Sequence, residues 1–144
     1  MGVIVRYGIV ARTTVAFALV AAGTAGGAAA AAAAVCPSGY ACGWGDRYYK
    51  TSGSTAARVK AYECQYSLSF LNYEGTTRNA DDDITSVYNN GNHSNATFFT
   101  GKWYSGASLK VVRQDGYVAL NSSHPNMNDS ISSFKFDSAA GNCT

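Results

Sequence analysis

Two hexapeptides concentrate oxygen donors in this chain. "DDDITS" runs from Asp81 to Ser86 and "NDSISS" from Asn128 to Ser133. Each reads acid or amide, acid or amide, any residue, Ile, hydroxyl, Ser. Carboxylates, amide oxygens, hydroxyls and carbonyls are the ligands a hard cation such as calcium collects, six to eight at a time. The same residues also open turns, because Asp and Asn bond nearby backbone and Ser and Thr do so more weakly. One such string says little. Two ask what holds them in place.

A second spacing precedes each string. Trp44 and Tyr49 flank four residues in "WGDRYYKT", and Phe99 and Tyr104 flank four in "FTGKWYSG". Gly106 follows one residue after the second pair. Thr51 stands at that place in the first, with Gly53 two positions on. A tight hairpin lets one ring stack on the other, and a trailing Gly takes a backbone conformation that a side chain resists. The copies differ in length: Trp44 to Asp81 is about eight residues longer than Phe99 to Asn128. A longer loop in "YEGTTRNA" or "TSGSTAA" absorbs such an insertion at small entropic cost.

The elements that carry these spacings read as β throughout. "ARVKAYEC", "YSLSFL", "ITSVYN", "ATFFTG", "ASLKVV", "GYVAL" and "SSFKF" are short runs of β-branched and aromatic residues, separated by Gly, Asn and Asp, with almost no helical signal. The fold class expected is all-β, with two Greek keys, about 40–90 and about 95–137, packed sheet on sheet. One key of about 40 residues has too small a core to fold alone; two can bury their inner faces against each other.

The ends carry other information. Residues 1–34 begin with Arg6 and Arg12, continue through "TVAFALVAAG", and thin into Ala and Gly. That order describes a secretory signal peptide cleaved between about Ala29 and Ala34. An anchor needs roughly 20 strongly apolar residues, and Val35 before Cys36 suits lipidation poorly. Residues 35–144 then form one domain, expected to be extracellular and monomeric. Of eleven basic residues two leave with the leader, so nine remain against nine acidic ones. A balanced charge argues against nucleic acid, which rewards a clustered basic face, and nothing after the leader suits a membrane. Cys36, Cys42, Cys64 and Cys143 all follow the leader. An even count in a small exported chain reads as two disulfides, with three pairings open. Pro37 and Gly39 turn the chain so that Cys36 and Cys42 can close locally, which leaves Cys64 with Cys143. Zinc is disfavoured, because tight Cys pairs are missing and His93 and His124 stand alone in turn-like, solvated segments.

The doubled hairpin and hexapeptide resemble the βγ-crystallin superfamily in its microbial form, over about Cys42 to Phe136. That family's calcium signature is Asn/Asp, Asn/Asp, any, any, Ser/Thr, Ser, and both hexapeptides fit it. The resemblance implies side-chain ligands at the second and fifth positions and a carbonyl from the third: Asp82, Asp83 and Thr85 in one copy, Asp129, Ser130 and Ser132 in the other. It adds a carbonyl just after each first aromatic, Gly45 and Thr100. One or two calcium ions would bridge the halves, with the second copy favoured because its hairpin keeps Gly106. The start "CPSGYACGW" is similar to that of secreted actinobacterial metalloproteinase inhibitors. The resemblance therefore implies a secreted, non-enzymatic inhibitor of an extracellular peptidase, without carrying over an inhibitory loop. The alternative is a calcium-stabilised module with a toxin-like, antifungal or cell-surface role. No nucleophile motif supports a hydrolase, and the acidic residues fall in turns rather than as a glycosidase pair.

Overall fold

The computed structural model describes residues 36–51, 57–60 (backbone only) and 64–138. The leader, Cys143 and the "TSGSTAA" loop from Ser52 to Ala56 lie outside the described residues. Eight strands are present: β1 Tyr40–Trp44, β2 Ala57–Lys60, β3 Cys64–Gln65, β4 Ser86–Asn89, β5 Ala96–Gly101, β6 Ser105–Val111, β7 Asp115–Tyr117 and β8 Ser133–Phe136. They form two antiparallel four-stranded sheets, ordered β2-β1-β4-β7 and β3-β8-β5-β6. Each four-strand unit gives its third strand to the other unit's sheet: β7 pairs with β4, and β3 with β8. The two Greek keys therefore interlock, and neither sheet is complete without the other half.

The shared core lies between the sheets. Val87 on one side and Phe98, Leu109, Val111, Phe134 and Phe136 on the other are buried there, and the hexapeptide isoleucines Ile84 and Ile131 are fully buried with them. A second, smaller cluster comprises Cys42 and Trp44 of β1 with Cys36, Tyr49 and Tyr88. The Cys36–Cys42 disulfide, with a Cα separation of 5.9 Å, belongs to it. Cys64 is also disulfide-bonded; the expected Cys64–Cys143 pairing involves a residue outside those described.

Several sequence expectations need local correction. "YSLSFL" is not a strand: after β3 it turns through a 3-10 helix, Leu68–Phe70, started by the Ser67 hydroxyl accepting from the Ser69 amide. "GYVAL" is strand only to Tyr117, and a single helical turn, Leu120–Ser123, follows. Both departures sit at the same place in the two repeats, where Leu68 and Leu120 bury their side chains into the core. The length difference also resolves. Gly43 pairs with Ala57, fourteen positions on, whereas Phe98 pairs with Leu109, eleven on, so the first hairpin holds three extra residues. The connection from β3 to β4, between Gln65 and Ser86, is longer by five than that from Tyr117 to Ser133. Both suggested loops share the insertion. The second part folds back on itself through an Asn72–Asn79 bridge and buries Tyr73.

Burial of tyrosines has a measurable consequence. Tyr49 and Tyr73 are nearly inaccessible, and burial first, then the nearby Asp115 and Asp83 carboxylates respectively, push both phenols far above the ordinary tyrosine range. The folded state therefore keeps protons that the unfolded chain releases above about pH 10. Stability carried by these phenols is intact below that pH and is lost as the pH rises from there toward the raised folded values. Each group costs about 1.4 kcal/mol per pH unit in that window. Thermal melts from pH 8 to 12 should be level up to about pH 10 and then fall steeply; a level profile across pH 10–12 would contradict the burial.

Candidate calcium clamp and exposed hairpin faces

The hairpins explain the aromatic spacing. Each turns through a 3-10 segment, Arg47–Tyr49 and Lys102–Tyr104, with two consecutive aromatics in the left-handed region: Tyr48 and Tyr49 at φ 59° and 55°, Trp103 and Tyr104 at 58° and 59°. Bulky residues are uncommon there, and such strain persists only where the surroundings fix it. The second aromatic of each pair folds back on the first: Tyr49 lies 5.0 Å from Trp44, and Tyr104 5.8 Å from Phe99. Gly106 has φ +80°, and a Cβ there would meet Thr100 Oγ1. The first hairpin, longer by three, does without that glycine at Thr51. At the two hairpin tips Tyr48 and Trp103 are exposed, Tyr49 is buried and Tyr104 is half-buried.

Each hexapeptide position has a structural task, done twice. Asp82 and Asp129, at the second position, have φ 54° and 50°. Their amides donate across the repeats, Asp82 to the Ile131 carbonyl (3.1 Å) and Asp129 to the Ile84 carbonyl (3.0 Å). The fifth-position hydroxyls cross as well: Thr85 donates to Asp129 Oδ1 at 2.8 Å and Ser132 to Asp82 Oδ1 at 2.9 Å. The fifth-position amides stay at home, Thr85 donating to the Trp44 carbonyl and Ser132 to that of Phe99. The sixth-position hydroxyls latch the hairpins, Ser86 to the Asp46 carbonyl and Ser133 to that of Gly101, both 2.6 Å.

This geometry regroups the expected ligands. The resemblance grouped Asp82 with Thr85 and Asp129 with Ser132, copy by copy. The folded chain instead sets each hairpin against its own fifth-position hydroxyl and brings the second-position carboxylate from the other repeat. Gly45, Thr85, Asn128 and Asp129 line one recess of about 240 Å³, with Arg47 also on its wall. Thr100, Ser132 and Asp82 are the corresponding residues of the other half, where Ser132 bonds Asp82 and the Phe99 carbonyl. First-position oxygens of both copies, Asp81 Oδ1 and Asn128 Oδ1, are shielded from solvent and lack a hydrogen-bond partner.

The third positions diverge. Asp83 is gripped by Arg78, with Nε 2.6 Å and Nη2 2.8 Å from its two carboxylate oxygens, and its carbonyl accepts the Tyr73 hydroxyl at 3.0 Å. The inserted loop supplies both partners. Ser130 turns its own hydroxyl onto the Asn128 carbonyl. Repulsion within the acidic triplet is relieved by Arg78 at Asp83 and by Lys102, 3.5 Å away, at Asp81. His93 is exposed, but His124 is half-buried against Tyr117, 4.3 Å between ring centres, rather than fully solvated. Among the described residues no group of three or more His, Cys, Asp or Glu side chains converges on a metal position, so a cation here would need hydroxyl, amide and carbonyl oxygens beside a single carboxylate from the second position.

Comparison with known proteins adds the function. The Peptidase inhibitor family I36 matches residues 29–112. The chain belongs to that family. The inhibitor is therefore a binding protein rather than an enzyme, and its partner is a peptidase. The match takes in all of the first repeat and ends after β6, so "NDSISS" lies beyond it. No curated protein sequence shows significant similarity to the inhibitor. Among solved structures, one described as "Evolution of the eye lens beta-gamma-crystallin domain fold" is similar at 19% identity and TM-score 0.55, covering 70% of this chain and 88% of its own. A βγ-crystallin from Ciona intestinalis is similar at 19% identity and TM-score 0.50, covering 69% and 100% respectively. These give the inhibitor its βγ-crystallin fold. Among its described residues no helix is long and apolar enough to cross a membrane.

Proposed function

We propose that the chain is exported and inhibits an extracellular metallopeptidase, with calcium bound at the cross-repeat loops holding it rigid. Family membership over residues 29–112 carries the inhibitor reading. The leader and the Cys36–Cys42 loop at the start of the domain carry its extracellular placement. A protein inhibitor gains affinity by entering the enzyme's cleft already ordered, so that little conformational entropy is lost on binding. Titration of the protein against a thermolysin-like and a serine peptidase tests the target class. Loss of the thermolysin-like activity at micromolar or lower inhibitor is expected, with the serine peptidase untouched. Full activity of both at micromolar inhibitor would rule the reading out.

The residues present fit calcium. Thr85 and Asp129 supply a hydroxyl and a carboxylate already 2.8 Å apart, Asn128 offers a shielded oxygen without a partner, and Gly45 offers its carbonyl. Asp82, Ser132, Thr100 and the Asp83 carbonyl would serve the second ion, with Asp83 partly committed to Tyr73. Few carboxylates and the guanidinium of Arg47 on the wall favour the weak affinities of extracellular calcium modules.

A further inference from the structure

The two hairpins differ in one respect that the duplication makes legible. Trp103, at the tip of the second hairpin, stacks on Tyr66 with ring centres 4.3 Å apart, and Phe70 continues the row at 5.9 Å. The hydrogen bonds identify their counterparts. Trp103 donates its amide to the Tyr66 carbonyl as Tyr48 does to that of Val118, and Leu68 donates to the Ser132 carbonyl as Leu120 does to that of Thr85. Tyr48, Val118 and Ser122 thus occupy the places of Trp103, Tyr66 and Phe70. Three rings become one ring, a valine and a serine. The missing bulk leaves a cleft of about 420 Å³ between Tyr48, Tyr117, Val118 and Ser122, within the range of small-ligand sites. Charge follows the same pattern. Lys102 has Asp81 at 3.5 Å. Its counterpart Arg47 lines the neighbouring recess with Asn128, the neutral residue at the place of Asp81, and with Asp46 and Asp129, yet none of these carboxylates forms an ion pair with it. Arg47 and Lys50, both exposed beside Tyr48, have no ion-pair partner among the described residues.

One half of the molecule therefore fills its own hairpin cleft with an aromatic ring and pairs its hairpin cation with a carboxylate, and the other leaves the ring's place open and the cation unpaired. We propose that the Tyr48–Val118 cleft is a recognition subsite for a peptidase segment in which an aromatic side chain neighbours an acidic one. The ring stacks on Tyr48 as Tyr66 stacks on Trp103, and the carboxylate reaches Arg47. The left-handed backbone at Tyr48 presents that ring without rearrangement. Assigning the segment to a peptidase rests on the inhibitor reading above; the cleft's preference does not.

The test uses ¹⁵N-labelled protein in chelator, so that calcium plays no part, titrated with acetyl-Glu-Trp-amide, acetyl-Gln-Trp-amide and acetyl-Glu-Ala-amide. Saturable shifts at Tyr48, Gly116–Ala119 and Ser122 are expected for the first. Binding should be about fivefold weaker without the peptide's charge, the size of one exposed ion pair, and undetectable without its ring. Arg47→Gln should equalise the two tryptophan peptides. Val118→Tyr, which copies Tyr66 and fills the cleft, should abolish binding with the fold intact by melting. Tyr48→Asn, which deletes the ring but tolerates the backbone, should do the same and raise the inhibition constant at least tenfold. No saturable shift at these residues, or equal binding of all three peptides, overturns the subsite. Unchanged inhibition by Tyr48→Asn overturns the peptidase as its occupant. Should the wild type inhibit no peptidase, the inhibitor reading fails separately and the peptide titration still decides the cleft.

Discussion

Calcium at 10 mM is expected to raise the melting temperature of this protein by about 10–20 °C over the same sample in chelator. The size follows from mass action. Oxygen sites of this kind in extracellular modules bind at roughly 0.1 mM, and a ligand at about 100 times its dissociation constant stabilises the folded state by about 2.7 kcal/mol. For a domain of about 100 residues, 1 kcal/mol moves the midpoint by about 4–8 °C. The effect needs both halves folded, because Thr85 and Asp129 lie on different repeats yet 2.8 Å apart. An ion between them would link the "DDDITS" loop to the "NDSISS" loop where backbone bonds from Asp82 and Asp129 already join them. Asp129→Asn should remove most of the gain, and Arg47→Gln should enlarge it by removing a like charge from the wall of the recess. Superimposable melts in calcium and chelator would leave the hexapeptides a purely structural role.

That structural role is real in either case, and it shows what the sequence could convey. Repeated strings and aromatic spacings are local patterns, so the hairpins, the two repeats and the β content could be read directly. Partner choice is not local. "DDDITS" contains nothing to say that Thr85 turns from Asp82 to Asp129, because that depends on β3 and β7 exchanging sheets. The left-handed backbone at Asp82 and Asp129 is likewise a property of the crossing loops, which Asp tolerates without announcing. The helical turn at Leu120 leaves no trace in the sequence because four residues are too few to show a helical period; its leucine is placed by the core it fills. The open cleft is the clearest case. Val118 and Ser122 are ordinary residues until Tyr66 and Phe70 show what their positions hold in the other half.

Trp44→Ala should be the most damaging single change in the described chain outside the shared core, at about 3–5 kcal/mol in urea unfolding. β1 is buried on both faces. Ala41 and Gly43 lie toward the core, where a Cβ on Gly43 would strike Ile84, while Cys42 and Trp44 lie in the outer cluster. Trp44 is fully buried there beneath Tyr49, which in turn packs edge-on against Tyr88 at 5.9 Å. Its removal opens a cavity that the Cys36–Cys42 disulfide and the strained hairpin backbone are poorly able to close. Phe99 holds the same place in the other sheet but is only partly buried, covered by Tyr104 and by the ammonium of Lys135, 5.8 Å from its ring centre. Phe99→Ala should therefore cost clearly less, because less apolar area returns to water. Trp44→Phe should be mild, since it keeps a ring and removes an indole N–H that has no partner. Equal losses for Trp44→Ala and Phe99→Ala would mean that the outer cluster adds nothing beyond the hairpin stack itself. A large excess for Trp44 would place the disulfide-capped face among the parts that keep the first repeat folded, which is also the repeat whose hairpin carries Arg47 and Tyr48.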